Sequence, residues 1–211
     1  MRRCLLLAIA IALVWAAPTE VSATTVLNDH GRAVVIDAGW VAETEDEFTG
    51  GGAIATSIKG GATSLSYVQY TETWLLCDDG GTPASPDDDL WGLEFTFETG
   101  DGPATLGMSP QYETGHAEAT IDINSTYVND CTGEISETIR EEVPITIRMD
   151  ASSQVIRETG SSVFRIPGQI NEALRFSSTY RYGKGVVEVA GVRVAANGPM
   201  GKTSWHFHAN G

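Results

Sequence analysis

Basic residues are scarce in this chain. Its 211 residues include 13 lysines and arginines against 28 aspartates and glutamates, for a formal net charge of −15 at pH 7. Nucleic acids and anionic membrane surfaces are bound mainly through cationic side chains. The charge balance therefore argues against either as a partner and is typical of a solvated acidic surface.

Long apolar runs are also missing, except for a short one near the N-terminus. Residues 4–17 are uninterrupted apolar sequence, preceded by two arginines and followed by the small-residue pattern "VSA" at residues 21–23. This run is too short to span a bilayer and has the organisation of a secretory signal. We therefore predict a cleaved signal peptide over residues 1–23, a secreted mature chain and no membrane span.

Cysteine is nearly absent. Once the leader is removed, Cys77 and Cys131 are the two that remain. Two cysteines in an exported chain generally pair, so we predict a Cys77–Cys131 disulfide, with a metal site or two free thiols as alternatives. Closing a loop of this length stabilises a fold by about 4 kcal/mol in the chain-entropy model.

The period of a long helix is not found, whereas alternation with a period of two recurs. In four segments apolar side chains alternate with polar ones: Trp91, Leu93, Phe95 and Phe97; Ala117, Ala119, Ile121 and Ile123; Val143, Ile145, Ile147 and Met149; and Leu174, Phe176, Tyr180 and Tyr182. One polar and one apolar face are typical of an antiparallel sheet. We predict an all-β fold, an antiparallel β-sandwich or barrel-like domain of about ten strands over residues 24–211, with little or no helix.

Clusters of glycine, proline, asparagine and aspartate separate these segments and indicate turns. We interpret as turns the clusters "TGGGA" (49–53), "KGGAT" (59–63), "CDDGGTPASPDDD" (77–89), "ETGDGPA" (98–104), "DCTGE" (130–134), "IPGQ" (166–169), "YGKG" (182–185) and "NGPMG" (197–201). We interpret the last of these as the hairpin between the final two strands. The apolar phase changes at Ala190-Gly191, which predicts a bulge within one strand. Pro144 indicates an edge position or a bulge in its strand.

A phosphate-loop pattern occurs near the C-terminus. "ANGPMGKT" (196–203) matches a relaxed form of it, but such a loop needs a helix to follow, because the helix N-terminus and the loop amides hold the phosphates. Trp205 and Phe207 alternate instead with polar residues, as in a strand. The match is therefore interpreted as accidental, and no nucleotide is expected.

Two histidines are candidate metal ligands. His206 and His208 project to the same side of a predicted strand, so both could reach one ion. A complete site needs further ligands, for which His30 and His116 are the other histidines of the chain. The alternative interpretation is that the two imidazoles face solvent.

Calcium is the one cofactor that the sequence suggests. Asp87, Asp88 and Asp89 lie in the longest irregular stretch, residues 78–89, and carry the hard oxygen ligands that Ca²⁺ prefers. Their spacing is not that of a known calcium loop. A solvated acidic loop without any cofactor is the alternative.

Catalytic motifs are missing as well. Neither a Gly-x-Ser-x-Gly elbow nor a His-Glu-x-x-His motif occurs. A glycoside hydrolase needs two carboxyl groups at a set separation, which Glu72, Glu94, Glu118 or Asp122 could supply only if the fold brought two of them together. We therefore assign no catalytic residue.

The aromatic residues offer a candidate binding surface. Tyr70 and Trp74 share a face of one predicted strand with Glu72, a mixture found both on binding surfaces and on half-buried sheets. They are the candidate ligand-binding residues. Trp91 and Trp205 share faces with phenylalanines, so we expect them in the core.

These patterns favour a secreted, non-catalytic β protein that serves as a binding or structural module for an extracellular ligand or cell-surface partner. A secreted carbohydrate-active hydrolase is the first alternative, and a metal-binding extracellular module is the second. An exposed aromatic patch would favour the binding module. A cleft lined by facing carboxyl groups would favour the hydrolase, and a third ligand beside His206 and His208 would favour the metal site.

Overall fold

A computed structural model describes residues 26–78, 90–165 and 171–210. In these ranges the chain forms β-strands and no helix: β1 (Val26–Glu43), β2 (Glu47–Ile58), β3 (Thr63–Asp78), β4 (Leu90–Met108), β5 (Thr114–Asn129), β6 (Glu134–Ala151), β7 (Ile156–Arg165), β8 (Asn171–Val189) and β9 (Val192–Asn210). The all-β prediction is confirmed. Among the described residues, no helix has the length and apolar composition of a membrane span. The predicted signal peptide lies outside the described residues.

The strands form one antiparallel sheet that closes into a ring. Their order is β6-β5-β4-β3-β2-β1-β9-β8-β7. One edge of β8 pairs with β9 along the whole strand. On the other edge, the first part of β8 pairs with β7, and its last part, residues 183–189, pairs with residues 145–151 of β6. This last pairing, which we call the seam, makes the fold barrel-like, with β7 attached to β8 outside the ring.

Apolar side chains fill the interior of the ring. The buried cluster comprises Ile36, Ala38, Trp40, Ala53, Ala55, Leu65, Tyr67, Ala117, Ile121, Ile123, Val143, Ile145, Ile147, Met149, Val187, Ala196 and Met200. The alternating faces predicted for residues 117–123 and 143–149 both point into this core. Small alanines on β1 and β2 leave room for larger side chains from the facing strands, so the narrow interior is filled.

The clusters "KGGAT" and "DCTGE" connect β2 to β3 and β5 to β6, so they are turns as predicted. "IPGQ" and most of "CDDGGTPASPDDD" lie outside the described residues. The other four clusters lie inside strands, so interpreting those as turns was wrong. "TGGGA" belongs to β2, "ETGDGPA" to β4, "YGKG" to β8 and "NGPMG" to β9. Space is the reason at Gly50 and Gly51, since a Cβ there would overlap the rings of Tyr70 and Trp40, respectively. Glycine is used at these two positions because aromatic rings pack directly on the backbone.

The last hairpin turns at Ala190-Gly191, where the two residues have φ values of 50° and 85°. Val189 and Val192 pair directly on either side. Positive φ at both central residues is typical of a type I′ turn, whose twist matches that of a hairpin. The predicted bulge here is therefore wrong, because a tight turn changes the apolar phase just as a bulge does. The predicted hairpin at residues 197–201 is also wrong, since these residues lie inside β9. β9 continues as strand through the phosphate-loop pattern.

Among the described carboxyl groups of the barrel wall, Asp37 is the one whose pKa is raised by burial. It lies on the outer side of β1, opposite Ile54, and burial raises its pKa above the ordinary 3.8. The folded protein therefore holds this proton to a higher pH than the unfolded chain does. The stability that protonated Asp37 confers is complete at low pH and declines as pH rises from about 4 through the raised pKa.

We expect Asp37→Asn to flatten that decline, because asparagine has no proton to lose. Thermal unfolding between pH 4 and pH 8 measures it, as a smaller loss of melting temperature in the variant than in the wild type. Asp101→Asn, at an exposed position of β4, is the control for removal of one negative charge. Equal pH slopes in D37N and the wild type would contradict the assignment.

Candidate functional site

The predicted disulfide between Cys77 and Cys131 is confirmed, with the two Cα atoms 5.1 Å apart. It joins the end of β3 to the β5–β6 turn and passes over Gly92 of β4, the strand between them. A Cβ at Gly92 would lie only 2.5 Å from the Cys77 sulfur and 2.9 Å from the Cys131 sulfur. The bond thus ties β3 to the β5–β6 turn across β4, on the side of the sheet opposite to the Trp91 side chain.

Aromatic rings form a row on the outer side of β2, β3 and β4. Ring centroids are 5.4 Å apart for Phe48–Tyr70, 6.5 Å for Tyr70–Phe95 and 6.4 Å for Phe95–Phe97. All three separations fall in the range of favourable ring pairs. The row is therefore a packed unit and not a set of independent side chains.

Trp74 and Trp91 extend this row toward the disulfide. Each is 55% exposed. Trp74 pairs with Leu93, and Trp91 with Leu76 on the neighbouring strand. The two tryptophans are therefore diagonal neighbours on the outer side of the sheet, with backbone positions about 7–8 Å apart. We call Phe48, Tyr70, Trp74, Trp91, Phe95 and Phe97 the aromatic surface. It contains both candidate ligand-binding residues, Tyr70 and Trp74.

The expectation that Trp91 lies in the core is wrong. Where residues 70–76 of β3 pair with residues 91–97 of β4, the apolar side of the two strands faces away from the ring interior. In residues 117–123 and 143–149 the apolar side instead faces the interior. Trp205 also lies on the outer side, where its indole covers Gly31 and its Nε1 donates to Asp29 Oδ2 at 3.2 Å. Alternation alone does not say which face is covered.

A polar cluster that the sequence analysis missed lies on the inner side of the same strands. The Tyr67 hydroxyl donates to Glu98 Oε2 at 3.1 Å, and Arg140 Nη2 donates to Glu98 Oε1 at 2.7 Å. Burial, and then the Glu98 charge, raise the pKa of Tyr67. The ring of Trp40 lies 6.1 Å from that of Tyr67, and its Nε1 is buried with no hydrogen-bond partner among the described residues.

A bulge in β6 brings Arg140 to this cluster. The register with β5 shifts between Ile121 and Ile123, so that Val143 pairs with the first and Arg140 with the second. Glu142 has a φ of 52°, and its backbone N–H donates to Asp122 Oδ1 at 2.9 Å. The irregularity predicted at Pro144 thus lies two residues earlier. Without it, the guanidinium would not reach Glu98.

The candidate hydrolase carboxyl groups are divided between the two sides of the sheet. Glu72, Glu118 and Asp122 lie on the outer side, and Glu94 lies on the inner side with Glu98. Asp37, whose pKa burial raises, lies on another part of the outer wall. The arrangement does not pair any two of these acids across a cleft.

The candidate metal ligands are only partly brought together. His206 lies directly opposite His30, and His208 follows on the same side of β9. His116 is elsewhere, 3.0 Å from Glu118 Oε1. No three histidine, cysteine or acidic side chains within the described ranges are placed to hold one metal ion. Binding at His206 and His208 stays a prediction, and Asp87, Asp88 and Asp89 lie outside the described residues.

None of the known protein families, curated proteins or solved structures matches this chain. Its function must therefore be inferred from the aromatic surface, the polar cluster and the distribution of charge.

Proposed function

We propose that this chain is an exported, non-catalytic binding module that holds an extracellular polysaccharide against its aromatic surface. The observation that carries the proposal is the pair of tryptophans Trp74 and Trp91, diagonal neighbours on one sheet face and each more than half exposed. Exposed apolar patches on exported proteins mark contact surfaces. Flat aromatic faces suit the apolar faces of sugar rings, and Glu72, between Tyr70 and Trp74 on the same side of β3, offers a hydrogen-bond acceptor for hydroxyl groups.

The surface is held in place before any ligand arrives. Tyr70 packs on Gly50 and between two phenylalanines, and the disulfide fixes the strand ends beside Trp91. A surface that is already ordered loses little conformational entropy on binding. The leader-like N-terminus and the disulfide both support export, since disulfides persist in oxidising compartments.

The hydrogen bonds of Glu98, on the inner side of the sheet, favour binding without catalysis over hydrolysis. Both oxygens of Glu98 accept hydrogen bonds, one from Arg140 and one from Tyr67. A carboxylate held by a guanidinium and a phenol hydroxyl of the same fold is typical of a structural cluster.

Trp74→Ala should weaken the binding of the mature chain to whichever polysaccharide the wild type binds by at least about tenfold, as expected for a central aromatic contact. The measurement is a depletion assay with the mature chain on cellulose, chitin, xylan and β-1,3-glucan. Ile139→Ala is the matched control, because Ile139 is 65% exposed on the outer side of β6 and lies outside the aromatic surface. Thermal unfolding of both variants shows that each remains folded.

Two results would overturn the proposal. One is that the wild type is retained on none of these polysaccharides, or that W74A and I139A bind alike. The other is release of reducing sugar by the wild type, which would favour the hydrolase.

A further inference from the structure

One face of β1, β7, β8 and β9 carries cations and no carboxylate. It continues the inner wall of the ring beyond the seam, and the strand register places its side chains in three rows: Val34, Lys202, Thr179 and Arg157; Arg32, Ser204, Ser177 and Thr159; and His30, His206, Arg175 and Ser161. We call these twelve positions the basic face. His208 and Arg181 lie on the same side, next to it.

The charge segregation is pronounced for so acidic a chain. The whole sequence has 28 acidic residues against 13 basic ones, yet the basic face has four cations, two histidines and no acid. The acids of the same strands point the other way. On that opposite side Asp29 accepts from the Trp205 indole and Glu158 from the Tyr180 hydroxyl at 2.8 Å.

The cations are available to a ligand. Arg32, Arg157, Arg175 and Lys202 are all exposed, and none of them forms an ion pair with a carboxylate of the described residues. Arg181, opposite Met200 where the face meets the core, has its Nε buried with no hydrogen-bond partner there. Neighbouring like charges without counter-charges repel one another, and a bound anion would relieve that repulsion.

The size and chemistry of the face fit a polymer better than a small anion. Four strands span about 14 Å, and successive rows are about 7 Å apart. Charges spread over that area are too distant to converge on one carboxylate. Serine and threonine hydroxyls between the cations, such as those of Thr159 and Ser177, can donate to anionic oxygens, whereas the Ser204 hydroxyl donates to the Ser177 carbonyl oxygen at 3.3 Å. The twelve positions include no phenylalanine, tyrosine or tryptophan on which nucleic acid bases could stack.

We propose that the basic face binds an acidic polysaccharide, a chain that carries repeated carboxylate or sulfate groups. This site lies at the opposite end of the strands from the aromatic surface, so it does not depend on the function proposed above. Ion pairs from Arg32 and Arg175 supply the central contacts, and Lys202 and Arg157 extend them along the next row.

The test measures binding of the mature chain, in EDTA, to heparin as a sulfated probe and to polygalacturonate as a carboxylated probe. Dextran is the neutral comparison. We expect binding to at least one acidic probe, no binding to dextran, and loss of affinity with rising salt. Arg32→Ser combined with Arg175→Ser should weaken binding by at least about tenfold.

Arg148→Ser combined with Arg193→Ser is the matched control, since it removes the same charge from exposed outer positions. Circular dichroism of both double variants reports folding, and light scattering reports their oligomeric state. The inference is overturned by any of four results: neither acidic probe binds, the two double variants bind alike, binding requires added Zn²⁺, or single-stranded DNA binds more tightly than both probes. A change of oligomeric state confined to the R32S/R175S variant would assign the face to contacts between copies and would also overturn it.

Discussion

Gly185→Ala is expected to break the seam that closes the ring. A Cβ at Gly185 would overlap the carbonyl oxygen of Arg148 on β6. The seam has only the pairs from Ile145–Val189 to Ala151–Gly183. Overpacking commonly costs 1–3 kcal/mol, and here the obstacle is backbone that cannot rotate away, so we expect a loss of at least about 3 kcal/mol in the free energy of unfolding.

A graded series of glycine variants tests this expectation in urea. Gly107→Ala in β4 has nothing within 4 Å of the added Cβ and should leave stability nearly unchanged. At Gly183 an added Cβ would lie 3.0 Å from the Asp150 carbonyl oxygen, so the loss of stability in Gly183→Ala should be intermediate between those of the other two variants. If all three variants unfold at the same urea concentration, the close approach at the seam is wrong. Failure of Gly185→Ala alone to fold supports it.

Loss of the disulfide is the second large effect that we expect. Cys77 and Cys131 are separated by 54 residues in sequence. In the chain-entropy model, opening a loop of this length lowers the free energy of unfolding by about 4 kcal/mol. Replacing both cysteines by serine avoids a free thiol, and urea unfolding of that variant against the oxidised wild type measures the change.

Gly92 provides a specific control for the disulfide geometry. Gly92→Ala should destabilise the oxidised protein, because the added Cβ meets both sulfur atoms. In the double-serine background, where the bridge is gone, the same substitution should cost clearly less. Additive effects of the two changes would contradict the packing of the bridge over β4.

The alternating period predicted the strands because side-chain direction in a strand is set by local backbone geometry. Residues 117–123 and 143–149 therefore reached the core as expected. The disulfide followed from cysteine number and the predicted export. None of these predictions required knowledge of which strands are neighbours.

The position of the glycine clusters inside strands could not be predicted from local sequence. Glycine punctuates turns in most sequences, but Gly50 and Gly51 serve β2 by making room for rings that arrive from β3 and β1. Arg140 is a similar case, since a bulge in β6 brings it to Glu98, whose own segment resembled a turn. In both cases the decisive partner lies on another strand.

The sequence by itself determined the class of the fold, the two-sided character of each strand and the pairing of the cysteines. The tertiary structure decided which side of each strand is covered, and with it that Trp74 and Trp91 are exposed and that the cations of four strands share one face. The physical reason is that the pairing of β6 with β8 closes the ring and so defines its interior. A strand that extends beyond this pairing still alternates between two faces, but its inner face is no longer covered by the ring.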